Sequence, residues 1–287
     1  MPTGLSLAWS WSPGALVCMV VLGLLYLLRL WSVQRLHRQD PQAPSVHPVR
    51  VISFFVGLLL FAVLLFSPLN TIGRTQLFSV HMAVVVTLTT VCAPLLLLGC
   101  SEVILRPILQ LPLVNSIVRF VTHPVAASVI FNVSFLLWHA PKIYNNAILN
   151  VPLYDTMLLV IFLTSLLNWW PVIGSLSELK KHGYPLQMLY VFLDGQPVDI
   201  FAFILVYTGV PLYHYPLNAL NPGGDQGIAG AMLLVPGLVD LAVMSPLFIS
   251  WMRQMEHKTR VADQRRMEDA EEVYYDDDEE DLQIQTH

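Results

Sequence analysis

The sequence predicts an all-α protein, a polytopic membrane helical bundle of about seven transmembrane helices. Three observations lead there. Of 287 residues, 55% are hydrophobic and only 12% charged, about half the charged share of an ordinary soluble domain. The apolar residues gather into runs long enough to cross a bilayer, which takes about 20 residues at 1.5 Å each. The Lys and Arg residues then crowd into every second loop.

Taken in order, the candidate spans lie near 13–32, 51–69, 77–99, 124–140, 153–174, 186–212 and 228–252. Residues 1–12 contain no Lys or Arg, so the positive start of a cleaved signal is missing and the first run is expected to be retained. A polar, Pro-punctuated loop at 33–50 separates it from the second. The fourth run is the shortest and ends at Trp138-His139-Ala140-Pro141. Trp169-Trp170-Pro171 near the end of the fifth, with Tyr207 near the end of the sixth and Tyr213 and Tyr215 after it, read as interfacial aromatic belts. Gly195-Gln196-Pro197 falls in mid-span in the sixth. Proline removes a donor and crowds the preceding turn, so a kink or break is expected there. Asn221-Pro222-Gly223-Gly224-Asp225 is a strong turn signal before the seventh. The loops are short and no internal repeat is visible, which gives one bundle, residues 1–255.

Threading the seven spans sorts the basic residues onto two sides. One side collects thirteen: Arg29, Arg35, Arg38, Arg50, Arg106, Arg119, Lys180, Lys181, Arg253, Lys258, Arg260, Arg265 and Arg266; the other has only Arg74 and Lys142. The bias predicts the N-terminus outside and the C-terminus in the cytoplasm. Residues 256–287 hold twelve of the twenty acids, including the run from Asp276 to Asp281. They read as a cytoplasmic acidic tail that begins helically and then becomes disordered. Tyr274-Tyr275 beside the acids reads as part of a solubilising tail, with a partner motif as the alternative. The net charge of −5 is therefore a property of an appendage and gives no sign of nucleic-acid binding. Cys18, Cys92 and Cys100 form no CxxC or CxxxC pair and read as small hydrophobes within spans.

Two constellations have chemistry to offer. Six of nine histidines (His37, His47, His123, His182, His257, His287) fall on the basic side or in the tail. His81, His139 and His214 fall toward the other face, with Met82, Tyr144, Asp155 and Asp225 in the same layer. Imidazole with thioether and carboxylate suits copper, whereas interfacial histidines also serve as structural caps. The second constellation is acidic: Asp194 and Asp199 flank the Gly-Gln-Pro segment, and Asp240 lies near the middle of the seventh span. A carboxylate at the bilayer centre costs about 2.5–3.5 kcal/mol on insertion scales. These three predict either a polar pocket or proton path, or bonds to donors freed around Pro197. Asn132, Ser134 and Asn168 read as interhelical hydrogen-bonding residues. No Walker loop, GxSxG, HExxH or dinucleotide fingerprint occurs.

A set of short motifs in fixed order resembles the CtaG family of cytochrome c oxidase assembly factors. His81-Met82 is followed by Ala93-Pro94-Leu95-Leu96-Leu97-Leu98-Gly99, then by Trp138-His139-Ala140-Pro141-Lys142-Ile143-Tyr144 with Asn146-Ala147. Asn168-Trp169-Trp170-Pro171-Val172, Pro211-Leu212-Tyr213, Asp225 through Met232 and Val235-Pro236-Gly237 complete the series. The resemblance implies a multi-pass protein of the bacterial plasma membrane, without enzymatic activity, whose partners are haem–copper oxidase subunits and the lipid bilayer. Copper is the metal it implies, with His81, His139, Met82 and Asp225 as the metal set; Trp138, Tyr144 and Gln226 carry over with them. The chain departs from the family where imidazoles are expected, with Val85 four residues after His81 and Tyr154 and Leu158 near the start of the fifth span. Two functional readings stay open: an oxidase assembly factor that assists copper delivery, and a small-solute, metal-ion or proton transporter built on Asp194, Asp199 and Asp240. A haem-binding subunit or membrane enzyme is the weakest alternative.

Overall fold

The computed structural model describes residues 7–109, 112–174, 183–215 and 220–285, and every regular element in them is helical. Lys180, Lys181, His182 and His287 lie outside the described residues, as do the side chains of Arg106, Tyr274, Tyr275 and the acidic run at 276–281. In chain order the helices are α1 (Pro13–Gln39), α2 (Pro48–Phe66), α3 (Pro68–Thr75), α4 (Phe78–Thr87), a π-helical turn (Leu88–Cys92), α5 (Ala93–Gly99), α6 (Glu102–Leu109) and α7 (Pro112–Val121). They continue with α8 (Pro124–Trp138), α9 (Pro141–Leu149), α10 (Val151–Ile173), α11 (Tyr184–Tyr207), α12 (Pro222–Leu233) and α13 (Pro236–Gln285). Proline stands in the first turn of most of these, where its missing N–H is no loss. Ser12, His47, Ser67, Asn150 and Asn221 cap helix starts by accepting a backbone N–H.

Six helical segments are long and apolar enough to cross a membrane: α1, α2, α4 with α5, α10, α11, and α12 with α13. A seventh arises if α8 and α9, bent by 67° at their junction, count as one span. The expected seven-run pattern is therefore present, with its weakest member where the sequence was least definite. At 15 residues, α8 reaches about 22 Å, short of a hydrocarbon core about 30 Å thick. Pro141 forces Ala140 out of helical geometry and turns the chain.

The irregular backbone is not where Pro197 suggested. Helix α11 runs unbroken for 24 residues through Pro197. One interruption is the π-helical turn ahead of Pro94 in the third span. Ala93 N–H reaches back five residues to Leu88 O, so Thr89 O loses its ordinary donor, and Pro94 has none to offer. Trp169 Nε1 on α10 fills the vacancy, donating to Thr89 O at 2.8 Å. The other interruption is a turn at Leu234-Val235 that divides the seventh span into α12 and α13 before Pro236.

The core lies where α2, α5, α8 and α10 meet around Phe61, Leu88, Cys92, Ile161 and Phe162, all essentially without exposure. Away from it, large apolar side chains such as Leu24, Leu59, Phe203 and Leu241 stay exposed, the outward face expected of a bundle solvated by lipid. Helix α13 packs chiefly on α11 and continues to Gln285. Within it the Arg260–Glu256 pair, one turn apart at 3.8 Å, has helix-compatible charge spacing.

Candidate functional site

The starts of α4, α10 and α12 and the ends of α8 and α11 meet at one end of the bundle. There His81 and His139, both 0% exposed, bring their Nε2 atoms to 3.2 Å. His81 comes from the first turn of α4, and His139 is the residue at which α8 ends. The approach depends on Gly73 of α3, where a Cβ would stand 3.0 Å from the His81 backbone, so no larger residue fits without moving α3 off α4.

Hydrogen-bond chemistry fixes the tautomers. His139 Nδ1 lies 2.8 Å from Phe135 O; a carbonyl only accepts, so this nitrogen carries the proton and the neutral ring keeps its lone pair on Nε2. His81 Nε2–H donates to that lone pair, which leaves His81 Nδ1 to accept from the Tyr154 hydroxyl at 2.7 Å. The result is a closed chain, Tyr154 to His81 to His139 to Phe135 O, with every member paired. Tyr144, fully buried, lies against both imidazoles.

Aromatic side chains wall this chain. Tyr144 and Tyr215 join their hydroxyls in a short hydrogen bond. Tyr215 also donates to Gly73 O at 3.1 Å, and Tyr213 donates to His139 O at 2.6 Å. Burial raises both loop phenols, Tyr213 and Tyr215, above their ordinary range, so they remain protonated donors. Tyr213 and Tyr215 are thus 3% and 7% exposed parts of the site, not members of an interfacial belt. Tyr207 keeps the belt role, being largely exposed.

The other residues expected at this site have separate employment. Asp225 lies 5% exposed at the start of α12, and its carboxylate accepts from Phe78 N at 2.6 Å and Ser79 N at 3.0 Å. It is a tertiary cap on the N-terminus of α4, where free N–H groups and the helix dipole favour a carboxylate. Gln226 beside it accepts from Leu212 N and donates to Leu205 O and Val210 O. Together the two side chains tie α12 to α4, to the end of α11 and to the loop that carries Tyr213. Met82 is fully buried in the core, about 100° around the helix from His81. His214 is exposed, and only its backbone is bonded, to Asn145 Oδ1. Tyr154, which the sequence offered only as a missing imidazole, is the side chain that orients His81. Val85, one turn beyond His81, and Leu158, one turn beyond Tyr154, are 0% and 1% exposed.

The acidic constellation does assemble, in the opposite half of the bundle. Asp194, Asp199 and Asp240 line an open cleft of about 720 Å³ between α11 and α13, with Asn168, Trp169 and Tyr190. Asp194 accepts from Asn132 Nδ2 at 3.1 Å and from Asn168 Nδ2 at 2.5 Å, so these two asparagines are the interhelical links they were expected to be. Ser134 Oγ is buried without a partner. Phe135 lines the cleft and packs against His139 with ring centroids 4.3 Å apart, making it the partition between the two polar regions.

Among the described residues no group of three His, Cys, Asp or Glu is arranged to hold a metal ion. The imidazole pair therefore offers two nitrogens and no third ligand of those types. A family model described as cytochrome c oxidase caa3 assembly factor matches residues 24–254. Searches of curated proteins and of solved structures return no match. The matched stretch contains both imidazoles, the Asp225-Gln226 tie and the acidic cleft, and the chain belongs to the CtaG family of cytochrome c oxidase caa3 assembly factors.

Proposed function

We propose that this chain assists assembly of a haem–copper oxidase in the bacterial plasma membrane, as a non-catalytic factor that binds oxidase subunits and passes copper at its His81–His139 pair. The observation that carries the copper part is the facing of two buried Nε2 atoms at 3.2 Å. An ion bonded to both at about 2.0–2.1 Å would subtend an angle of about 105°. His139 already holds the tautomer a ligand needs. His81 requires that its proton pass from Nε2 to Nδ1 and that the Tyr154 hydroxyl turn its own hydrogen away, so that Nδ1–H donates to Tyr154 Oη, the outer partner that a metal-binding imidazole ordinarily has. Two nitrogens suit an ion held for transfer, because a client donor can complete its coordination. The bias of basic loops supports an orientation with this pair toward the outer face.

Copper content of the purified full-length protein, wild type against His81→Ala/His139→Ala, tests the metal role. The wild type is expected to hold copper and the double variant to lose it; equal copper in both ends the copper role. Deletion of the gene tests the wider one, with oxidase activity expected to fall; a fully assembled, copper-loaded oxidase in the deletion strain refutes it. The transporter reading leaned on half-helix ends at Pro197, and the unbroken α11 removes them.

A further inference from the structure

The acidic cleft is unlike the imidazole site in one respect: its carboxyl groups meet no basic group among the described residues that line it. A methyl group placed on Gly195 would lie 3.2 Å from Asp240 Oδ2 and 3.9 Å from Asp199 Oδ2, so two carboxylates converge on one backbone position beside Asp194. Among the described residues lining the cleft there is no Lys, Arg or His. Carboxylates at this depth ordinarily pair with a cation or a backbone group. Asp194 is held by Asn132 and Asn168, while Asp199 and Asp240 have no such amide donors among the described residues.

Asn132 stands behind Asp194, its Nδ2 donating to both the main-chain and side-chain oxygens of Asp194 at 3.1 Å. Asp194 is thereby tied to α8, and the carboxyl pair left facing the cleft is Asp199 and Asp240. The donor that this pair lacks is a positively charged one.

The surroundings select the kind of donor. A metal ion is disfavoured because no three of the acidic or imidazole groups come together as ligands among the described residues. The seventh span is only 6% buried along its apolar window, so the α13 side of the cleft is uncovered, with Leu238 and Leu241 exposed beside Asp240. A contiguous apolar groove between α8 and α11 shares Tyr190 and Asp194 with the cleft and is lined by Val125, Val129, Leu186 and Leu189. Apolar flanks around a mid-membrane acidic centre match a helix that is apolar except for one cation. We infer that this cleft is a receptor for a partner's transmembrane helix carrying a single Lys or Arg near its midpoint. The Lys or Arg would enter between Asp199 and Asp240, and the partner helix would lie along α13 and α11. This inference is separate from the copper reading and stands or falls without it.

The test uses the full-length protein in phosphatidylcholine vesicles and a fluorescent poly-Leu transmembrane peptide with one central Lys, compared with the same peptide bearing Leu or Gln there. Energy transfer from the protein reports association. The Lys peptide is expected to bind about tenfold more tightly than the Leu peptide, with the Gln peptide close to the Leu peptide. Asp199→Asn/Asp240→Asn, which keeps the side-chain shape, should abolish the preference. Equal binding of the Lys and Leu peptides by the wild type overturns the inference and leaves the acids as neutral structural groups. Gln binding as tightly as Lys, or a preference that survives in the double variant, also overturns it.

Discussion

Asp225→Ala tests the reading of Asp225 as a tertiary cap on α4. The substitution removes both acceptors of Phe78 N and Ser79 N, bonded at 2.6 and 3.0 Å. Hydrogen bonds to a carboxylate contribute about 1.5–3 kcal/mol each, and the carboxylate's place at a helix N-terminus adds within that range. At 5% exposure, little water can replace it. A net loss of about 3–4 kcal/mol follows, partial relaxation of the first turn of α4 being the discount. For a chain of this size each kcal/mol moves Tm by about 2–4 °C, so a fall of about 10 °C is expected in detergent. The seven tryptophans allow this to be followed by intrinsic fluorescence on heating. Asp225→Asn should fall about half as far, because one oxygen still accepts while the new NH2 opposes the second N–H. If Asp225→Ala melts within about 1 °C of the wild type, the capping argument is wrong. Loss of copper without loss of Tm would return Asp225 to the metal set.

Three further outcomes follow from the geometry. Trp169→Phe strips Thr89 O of its donor and should lower stability by about 1–2 kcal/mol; in a Pro94→Ala background, where residue 94 regains an N–H, thermal melting should show that cost reduced by half or more, and strict additivity would refute the link. Val85→His with Tyr154→His returns imidazoles to two positions beside the pair and should raise copper affinity, read by competition with a chromogenic chelator, at least about tenfold; unchanged affinity would place those positions outside the site. An impermeant maleimide on intact cells should label Lys142→Cys and spare Gln264→Cys if basic loops face the cytoplasm, with the reverse pattern inverting the topology.

How far the sequence could be read depended on whether a feature was local. Span number followed from run length, and the interhelical use of Asn132 and Asn168 from the difficulty of leaving an amide alone in lipid. The bend at Pro141 and the short α8 were also local, which is why the fourth run was the least definite. Pro197 misled because a proline within a long helix needs only one carbonyl released, and α11 absorbs it without breaking. Pro94 had the larger effect because a π turn precedes it and a distant indole stands ready to satisfy Thr89. No window of sequence contains both halves of that arrangement. The site divides in the same way. His81 and His139 were recognisable as residue types near one end, but their meeting depends on Gly73 allowing α3 against α4. Tyr213 and Tyr215 carried the ordinary signature of an interfacial belt, and only the path of the loop after α11 turns them inward.

The departures from the family pattern become intelligible once their places are known. Val85 and Leu158 are packed without exposure, so an imidazole at either position would be a buried polar group in need of a partner. Tyr154 has kept a hydroxyl where a ring nitrogen is expected, and that hydroxyl bonds His81 Nδ1. The three positions are mutually consistent: Val85 and Leu158 are apolar and packed, and Tyr154 presents a single polar atom that orients His81. What remains is a closed hydrogen-bonded chain that is stable without an ion, because every donor and acceptor in it is paired. An ion entering between the imidazoles would replace one hydrogen bond by two coordinate bonds, with the His81 proton moving to Nδ1 and the Tyr154 hydroxyl turning to accept from it. Two imidazoles hold a copper ion more weakly than a fuller set would, which is the balance that the proposed delivery role requires.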